Sequence, residues 1–333
     1  MEIDNPPLLA ADGTVREPVV VVDLASAPDP GAVAAAAGDH VLVGLAIRGV
    51  PDRARDAGLP LLLDVTLVPP GAPGGGETVA VPDHAATAEA IVVAVRANPV
   101  AAVVLAGLLR WSGGLPIPAA LDAESLAYST LLGGPEFQRW LQARGVRPLP
   151  PPAADPVLVA RDGDVLHVTL NRPERRNAYG RSVRDALVDA LHVALLDPSV
   201  TRVVLDGAGP AFCAGGDLAE FGTTPDLATA HLVRTRAGAA RPLHALSART
   251  EVRVHGPCVG AGIELPAFAG RITATSDATF RLPEVAMGLI PGAGGTVSIP
   301  RRIGRWRTLY LALTGLALDA QTAHEWTLID DLT

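Results

Sequence analysis

Gly256-Pro257-Cys258-Val259-Gly260-Ala261-Gly262-Ile263-Glu264 is the stretch on which the reading of this chain turns. It follows a short strand at Val252–Val254, and a helix is expected to start near Gly260. The first N–H groups of a helix have no partner in the helix and carry a partial positive charge, so they can hold a developing oxyanion. Glycines there let a ligand approach the backbone. The spacing matches neither the dinucleotide nor the Walker pattern, so both nucleotide readings lose. Glu264 sits a few residues into the helix in apolar surroundings. Burial favours its protonated form, and the helix start favours its charged form. A second glycine loop lies upstream, Phe212-Cys213-Ala214-Gly215-Gly216-Asp217, read as linking a strand to a helix with Asp217 as N-cap. A second carboxylate, Glu284, lies in Phe280-Arg281-Leu282-Pro283-Glu284-Val285. Singly, each loop reads as an ordinary turn and each glutamate as a solvated or capping group. Together, two carboxylates for acid and base work and two backbone-rich loops point to chemistry on a thioester.

Composition narrows the classes. The 333 residues carry a formal net charge of −8, and the pI near 5.5 argues against a nucleic-acid binder. All 27 basic residues are arginine, so arginine would make any phosphate contact. Cys213 and Cys258 adjoin the two loops; two cysteines in so long a chain form no disulfide framework and read as buried packing residues. The N-terminus, Met1–Gly13, shows no leader pattern, and no apolar run is long enough to span a bilayer although mean hydropathy is +0.30. No membrane partner and a soluble cytoplasmic protein are expected.

The clearest boundary is the proline-rich stretch Arg147-Pro148-Leu149-Pro150-Pro151-Pro152-Ala153-Ala154-Asp155-Pro156, read as an extended linker over 147–156. Residues 1–146 then form a small α/β segment followed by helices. Strands are expected at Val19–Val22, Val41–Gly44 and Leu61–Leu63, with a helix over Ala32–Ala37. After the loop Pro69–Gly76, helices are expected at Ala85–Arg96, Pro99–Arg110, Asp122–Leu132 and Pro135–Ala143. Beyond the linker, Val157–Ala160 and Val165–Leu170 read as a hairpin around Asp162-Gly163-Asp164. Ser182–Leu196 reads as an amphipathic helix, Val200–Asp206 as a buried strand and Ala228–Leu246 as mostly helix. The repetition predicts a layered α/β core over 157–333.

Four motifs now form a set. Asn171-Arg172-Pro173-Glu174-Arg175-Arg176-Asn177-Ala178, Phe212–Asp217, Gly260–Glu264 and Leu282–Thr296 stand in the order and spacing of the enoyl-CoA hydratase/isomerase (crotonase) superfamily, which residues 156–333 resemble. The resemblance implies an α/β fold, a spiral of ββα repeats, that binds an acyl-CoA in homotrimers or hexamers, as in fatty-acid metabolism. It implies no metal and no cofactor beyond the CoA of the substrate. It assigns the oxyanion hole to the N–H groups of Ala214 and Ala261. It assigns base work toward water to Glu264 and proton delivery to Glu284. Substrate and CoA contacts fall to Arg175, Arg176, Ala178, Gly215, Gly216, Asp217, Gly260, Pro283 and Gly292. His255, beside the oxyanion loop, reads as a packing or backbone-bonded histidine.

Departures from the family pattern shape the remaining expectations. Pro266, two residues after Glu264, is expected to kink the helix and displace the carboxylate. Gly270 stands where an aspartate is common. The chain ends at Ala323–Thr333, which resembles the segment before the family's last helices; those helices cover the active site and build the trimer. Residues 79–145 resemble the missing part, so they are expected to supply those helices in permuted order. Residues 17–68 would be a reduced, non-catalytic remnant of a second core. The family's CoA-contacting lysine is matched by Ala106, which implies a lost contact. Keeping both glutamates favours a hydratase that converts a 2-enoyl-CoA to a 3-hydroxyacyl-CoA. The alternatives are a double-bond isomerase or specialised crotonase of secondary metabolism, and a non-catalytic acyl-CoA-binding or assembly partner.

Overall fold

The computed structural model describes residues 6–151 and 154–333; linker residues 152 and 153, and residues 1–5 of the stretch inspected for a leader, lie outside it. The N-terminal segment builds a four-stranded sheet from β1 (Val19–Asp23), β2 (Val41–Leu45), β3 (Val65–Val68) and β4 (Val79–Ala80), in that order and all parallel. Crossovers carry α1 (Pro30–Ala36), α2 (Asp52–Asp56) and α3 (Leu59–Leu62). The valine-rich strands suit a sheet covered on both faces. One face, with Val22, Leu24 and Leu42, packs with Val33 of α1; the other, with Val41, Val43 and Val65, joins the main core. The Asp29 carboxylate starts α1 by accepting the Ala32 N–H at 2.8 Å. The expected strand at Leu61–Leu63 is corrected. Pro60 sits in the first turn of α3, where its fixed φ suits a helix, and the strand begins only at Val65.

Four helices follow: α4 (His84–Ala97), α5 (Pro99–Trp111), α6 (Ile117–Leu132) and α7 (Pro135–Arg144). All four match expectation, α6 starting five residues earlier. Asp83 caps α4 through the Ala86 N–H at 2.9 Å. The free amides of Val100 and Ala101 at the start of α5 donate to the buried Glu136 carboxylate of α7 at 2.8 and 3.0 Å, which ties the two helices together. Described residues 147–151 and 154–156 form no helix or strand.

The remainder is the expected layered core. It runs β5 (Val157–Asp162), β6 (Val165–Leu170), α8 (Arg181–Leu196), β7 (Arg202–Gly207), α9 (Leu227–Arg236), α10 (Ala240–Ala245), β8 (Thr250–Val254), β9 (Pro257–Val259), α11 (Ala261–Glu264), β10 (Arg271–Ala274), β11 (Thr279–Arg281), α12 (Gly295–Ser298), α13 (Pro300–Thr314), β12 (Leu318–Asp319), α14 (Ala320–Glu325) and β13 (Asp331–Leu332). A six-stranded sheet has the order β13-β10-β8-β7-β6-β5, parallel except for the β5–β6 hairpin. A second sheet, β12-β11-β9, carries the glycine loop of α11. The expected helix Ala228–Leu246 is broken between α9 and α10, around Gly238.

One buried carboxylate joins the two halves. Asp64 precedes β3 and accepts from the Leu42 amide at 2.8 Å, from Arg110 Nε of α5 at 2.9 Å and from Arg305 Nη1 of α13 at 3.1 Å. Arg110 also donates to the carbonyls of Ala37 and His40, and Arg305 to that of Leu61 at 2.6 Å. Asp64 is 1% exposed, so deleting it strands two half-buried guanidinium groups. Asp64→Ala is expected to destabilise the fold by about 3–5 kcal/mol, read by urea denaturation; a loss below about 1 kcal/mol would show that the triad does not hold the halves together.

Candidate active site

The two glycine loops lie side by side. The Val259 amide donates to Cys213 O at 3.0 Å, and a Cβ on Gly262 would stand 2.0 Å from that same carbonyl oxygen, so only glycine permits the approach. Gly215 (φ +99°) and Gly260 (φ +49°) occupy backbone conformations that favour glycine. The N–H groups of Gly216 and Ala261 donate to no acceptor among the described residues, and both residues line one cavity of about 520 Å³ with Glu264 and Glu284.

This corrects one assignment. The Ala214 N–H donates to Arg176 O at 2.9 Å, so it is not free to hold an oxyanion, and Ala214 does not line the cavity. The free donor is Gly216, two residues on, beyond the turn at Gly215. The helix expected after this loop is also absent, since α9 starts only at Leu227. Asp217 caps no helix: it accepts the Ala219 amide at 3.0 Å and pairs with Arg175 at 2.7 Å. Of the expected contact residues, Gly216, Asp217 and Gly292 line the cavity. Arg175, Arg176, Ala178, Gly215, Gly260 and Pro283 do not; Arg175 is engaged by Asp217, and Arg176 is exposed outside the cavity. Gly260 lies under the Glu284 carboxylate, where a Cβ would meet Oε1 at 2.4 Å. His255 Nε2 is 2.9 Å from Gly209 O, a backbone-bonded histidine as expected.

Glu264 ends the single turn of α11, and Pro266 opens a separate 3-10 turn, Pro266–Phe268. The proline therefore ends the helix, yet the carboxylate remains in the cavity. There Oε2 accepts from the amides of Ala293 and Gly295 at 2.7 and 2.9 Å. Glu284 starts the 3-10 turn Glu284–Met287 after Pro283, and its Oε2 has no hydrogen-bond partner among the described residues.

A third carboxylate reaches the site. Glu124 of α6 is buried and accepts from the Gly294 amide at 2.8 Å, and from the amide and hydroxyl of Thr296 at 2.9 and 2.7 Å. Four consecutive amides of one turn are thus divided alternately between Glu264 and Glu124. The helix α6 comes this close because Gly292 has no side chain: a Cβ there would meet the Tyr128 ring at 2.3 Å. Helix α7 does the same at the other glutamate, where a Cβ on Gly288 would meet the backbone of Glu136 and Phe137 at 2.6 Å. Glu124 falls within the expected helix Asp122–Leu132, and Asp122 beside it shows that an acidic residue in that helix does not by itself mark the site.

Burial leads the electrostatics. It raises the Glu284 carboxyl to about 8, with the Glu124 charge adding to the shift. It raises Glu124 to about 7 against the opposing Thr296 and Gly294 bonds. It raises Glu264 well above the usual carboxylate range, with the Glu284 and Glu124 charges adding and the Ala293 and Gly295 amides opposing. Two amide donors favour the anion on Glu264, and the donorless Glu284 oxygen favours a proton there. The Cys213 thiol is pushed up to about 12 by burial, which makes it an inert packing group. Among the described residues no three His, Cys, Asp or Glu side chains are grouped to hold a metal ion.

Comparison with known proteins gives one pattern. Residues 160–333 match the family model described as Enoyl-CoA hydratase/isomerase. The 2,3-dehydroadipyl-CoA hydratase of Escherichia coli (strain K12) is 36% identical over 53% of this chain and 68% of its own length. The 1,2-epoxyphenylacetyl-CoA isomerase of the same strain is 36% identical over 50% of this chain and 64% of its own length. A solved enoyl-CoA hydratase of Mycobacterium smegmatis superposes with a TM-score of 0.50 at 32% identity, covering 54% of this chain and 70% of that one. The matches therefore span about two thirds of these relatives. Among the described residues no single helix is long and apolar enough to cross a membrane.

Removing the third carboxylate leaves the Gly294 and Thr296 amides buried without partners. Glu124→Ala is expected to cost about 1–3 kcal/mol per stranded group, read by denaturation, and to release the turn that holds Glu264. A variant as stable as the parent would refute this capping role.

Proposed function

This chain belongs to the enoyl-CoA hydratase/isomerase family, and on that premise we propose that it adds water reversibly across the 2,3-double bond of an acyl-CoA thioester. The observation that carries the reading is one cavity that holds two buried glutamates in unlike hydrogen-bond settings beside two free backbone N–H groups. The thioester oxygen lies between the N–H groups of Gly216 and Ala261. The Glu264 carboxylate, held by two amides, takes a proton from water as the water oxygen bonds to C3. The electron pair of the double bond moves toward the thioester, and the oxyanion is held by the two N–H groups. Glu284 gives its proton to C2, and the thioester carbonyl re-forms. The two glutamates have then exchanged protonation states, and the next water resets them. These steps use the two glutamates and the backbone alone.

The same reading carries the permuted arrangement: residues 79–145 stand in for the helices expected after residue 333, and residues 17–68 are a reduced second core. Its support is that α6 and α7 touch the turns of Glu264 and Glu284. A cytoplasmic homotrimer or hexamer belongs to the same proposal, with sedimentation as its check. Double-bond isomerisation is the second reading, favoured by the enoyl-CoA isomerase/hydratase fer4 of Mycosarcoma maydis, 36% identical over 50% of this chain and 64% of its own length.

Crotonyl-CoA hydration, followed by loss of the enoyl-thioester absorbance, tests the main reading. Glu264→Gln and Glu284→Gln are each expected to lower kcat by about 10²–10⁴-fold. Binding of acyl-CoA without turnover would leave the non-catalytic reading, and a shifted double bond in place of an alcohol would establish the isomerase. Glu284 must be protonated to act. Because its pKa is raised to about 8, kcat/KM is expected to fall as pH rises through that value, and it falls again on the acid side as the Glu264 base, itself raised above the usual carboxylate range, takes up a proton. A profile flat to pH 10 would remove Glu284 as the acid.

A further inference from the structure

Four arginines line the cavity, and the hydration steps use none of them. Arg234, on α9, lines the cavity with Glu264 and Glu284. Its Nε donates to Ser125 Oγ at 3.0 Å, and its Nη2 donates to Ser125 O at 3.1 Å and to Ser129 Oγ. Its guanidinium carbon stands 4.6 Å from the centroid of the Tyr128 ring. That ring packs on Gly292, next to the turn that holds Glu264. Of the three other arginines of the lining, Arg241 pairs with Asp122 and Arg184 with Asp185, while Arg181 is exposed to solvent. Arg234 forms no ion pair among the described residues. Its Nη1 has no hydrogen-bond acceptor there, and it is not among the buried atoms left without a partner, so it is accessible on a residue of the cavity lining. The nearby titratable groups are Tyr128, Glu124 and His231; both Glu124 oxygens already take the Gly294 and Thr296 donors, and His231 Nδ1 is 3.0 Å from the Ser125 Oγ that Arg234 also contacts.

A partly desolvated guanidinium without a counter-charge is costly unless a ligand supplies one. Two serines and an aromatic face fix its fork, which leaves Nη1 unpartnered on a residue of the cavity lining. We propose that Arg234 receives a carboxylate at the far end of the acyl chain, so that the substrate is the mono-CoA thioester of an unsaturated dicarboxylic acid. This rests on the hydratase reading of the same cavity. Arg234 is then the residue that sets acyl specificity, and Ser125 and Ser129 position it.

The test compares equilibrium binding of adipyl-CoA, hexanoyl-CoA and free CoA to the intact wild-type protein, which needs no variant to fold. The dicarboxylic ester is expected to bind at least about tenfold tighter than the neutral one, the order set by one charge-assisted hydrogen bond in a partly buried site. Arg234→Met is expected to erase that preference and to leave free CoA binding unchanged; Arg234→Lys is expected to keep part of it. Equal affinity of the wild type for the two esters overturns the proposal. A loss of free CoA affinity in Arg234→Met also overturns it, because the arginine would then hold a phosphate of CoA. Hydration of the matching 2-enoyl esters is measured separately. A binding preference without hydration sustains the carboxylate pocket and removes the hydratase reading. Hydration of both esters at equal kcat/KM, with equal binding, does the reverse.

Discussion

The structure depends on how four successive backbone amides, Ala293 to Thr296, are shared. Two of them point at Glu264 and two at Glu124. A turn with its amides all turned inward is stable only if acceptors meet it, because each buried N–H without a partner costs about 1–3 kcal/mol. Glu264 takes two of the four, both at Oε2, and the other two alternate with them toward a second carboxylate. The second carboxylate comes from elsewhere in the fold, from α6. That contact sets how near α6 approaches, which explains why residue 292 has no side chain and why the Tyr128 ring lies against it. The acid–base geometry at Glu264 is therefore as much a property of α6 as of the loop that carries the residue.

The same contact governs charge. Three carboxyls in one desolvated region cannot all ionise; burial raises all three, and neighbouring carboxylate charge adds to the shift at Glu264 and Glu284. Hydrogen-bond donors decide where the remaining negative charge rests. Glu264 and Glu124 receive amides, and Glu284 leaves one oxygen bare. A group without donors holds a proton most readily, so the arrangement separates an acid from a base although both are glutamates. Arg234 supplies positive charge at the same cavity without neutralising any of the three at ion-pair distance.

Much of this was legible in the sequence, for reasons that are local. Glycines at 215, 260 and 262 mark places where the backbone turns left-handed or meets another chain segment, and such demands show in composition. Helices α4 to α8 were legible because apolar periodicity, Pro99 and Pro135 mark them. The errors at the site are non-local. Whether Ala214 or Gly216 offers the free N–H depends on a carbonyl at Arg176, which no pattern within the loop reveals. Asp217 has the side chain of an N-cap, but Arg175 claims it. Leu61 to Leu63 carry no period by which a turn of helix and a strand could be told apart, and Pro60 decides the matter. Glu124 and Asp64 each act on partners far along the chain, so their neighbours do not announce them.

Sequence distance is also the reason that a permuted order of elements is physically inexpensive. The Glu124–Gly294 contact spans 170 residues. Closing so long a loop costs entropy that grows only with the logarithm of its length, about 0.6 kcal/mol per doubling. A helix delivered from before the core and one delivered from after it therefore differ little in closure cost, provided that each can reach the turn. What cannot be exchanged cheaply is the carboxylate itself, because buried amides without it lose far more than a change of loop length returns. The Asp64 triad adds the complementary restraint, since its arginines on α5 and α13 join helices on either side of the proline-rich stretch. An order of elements that preserves these few buried polar contacts preserves the site, whichever end of the chain the helices come from.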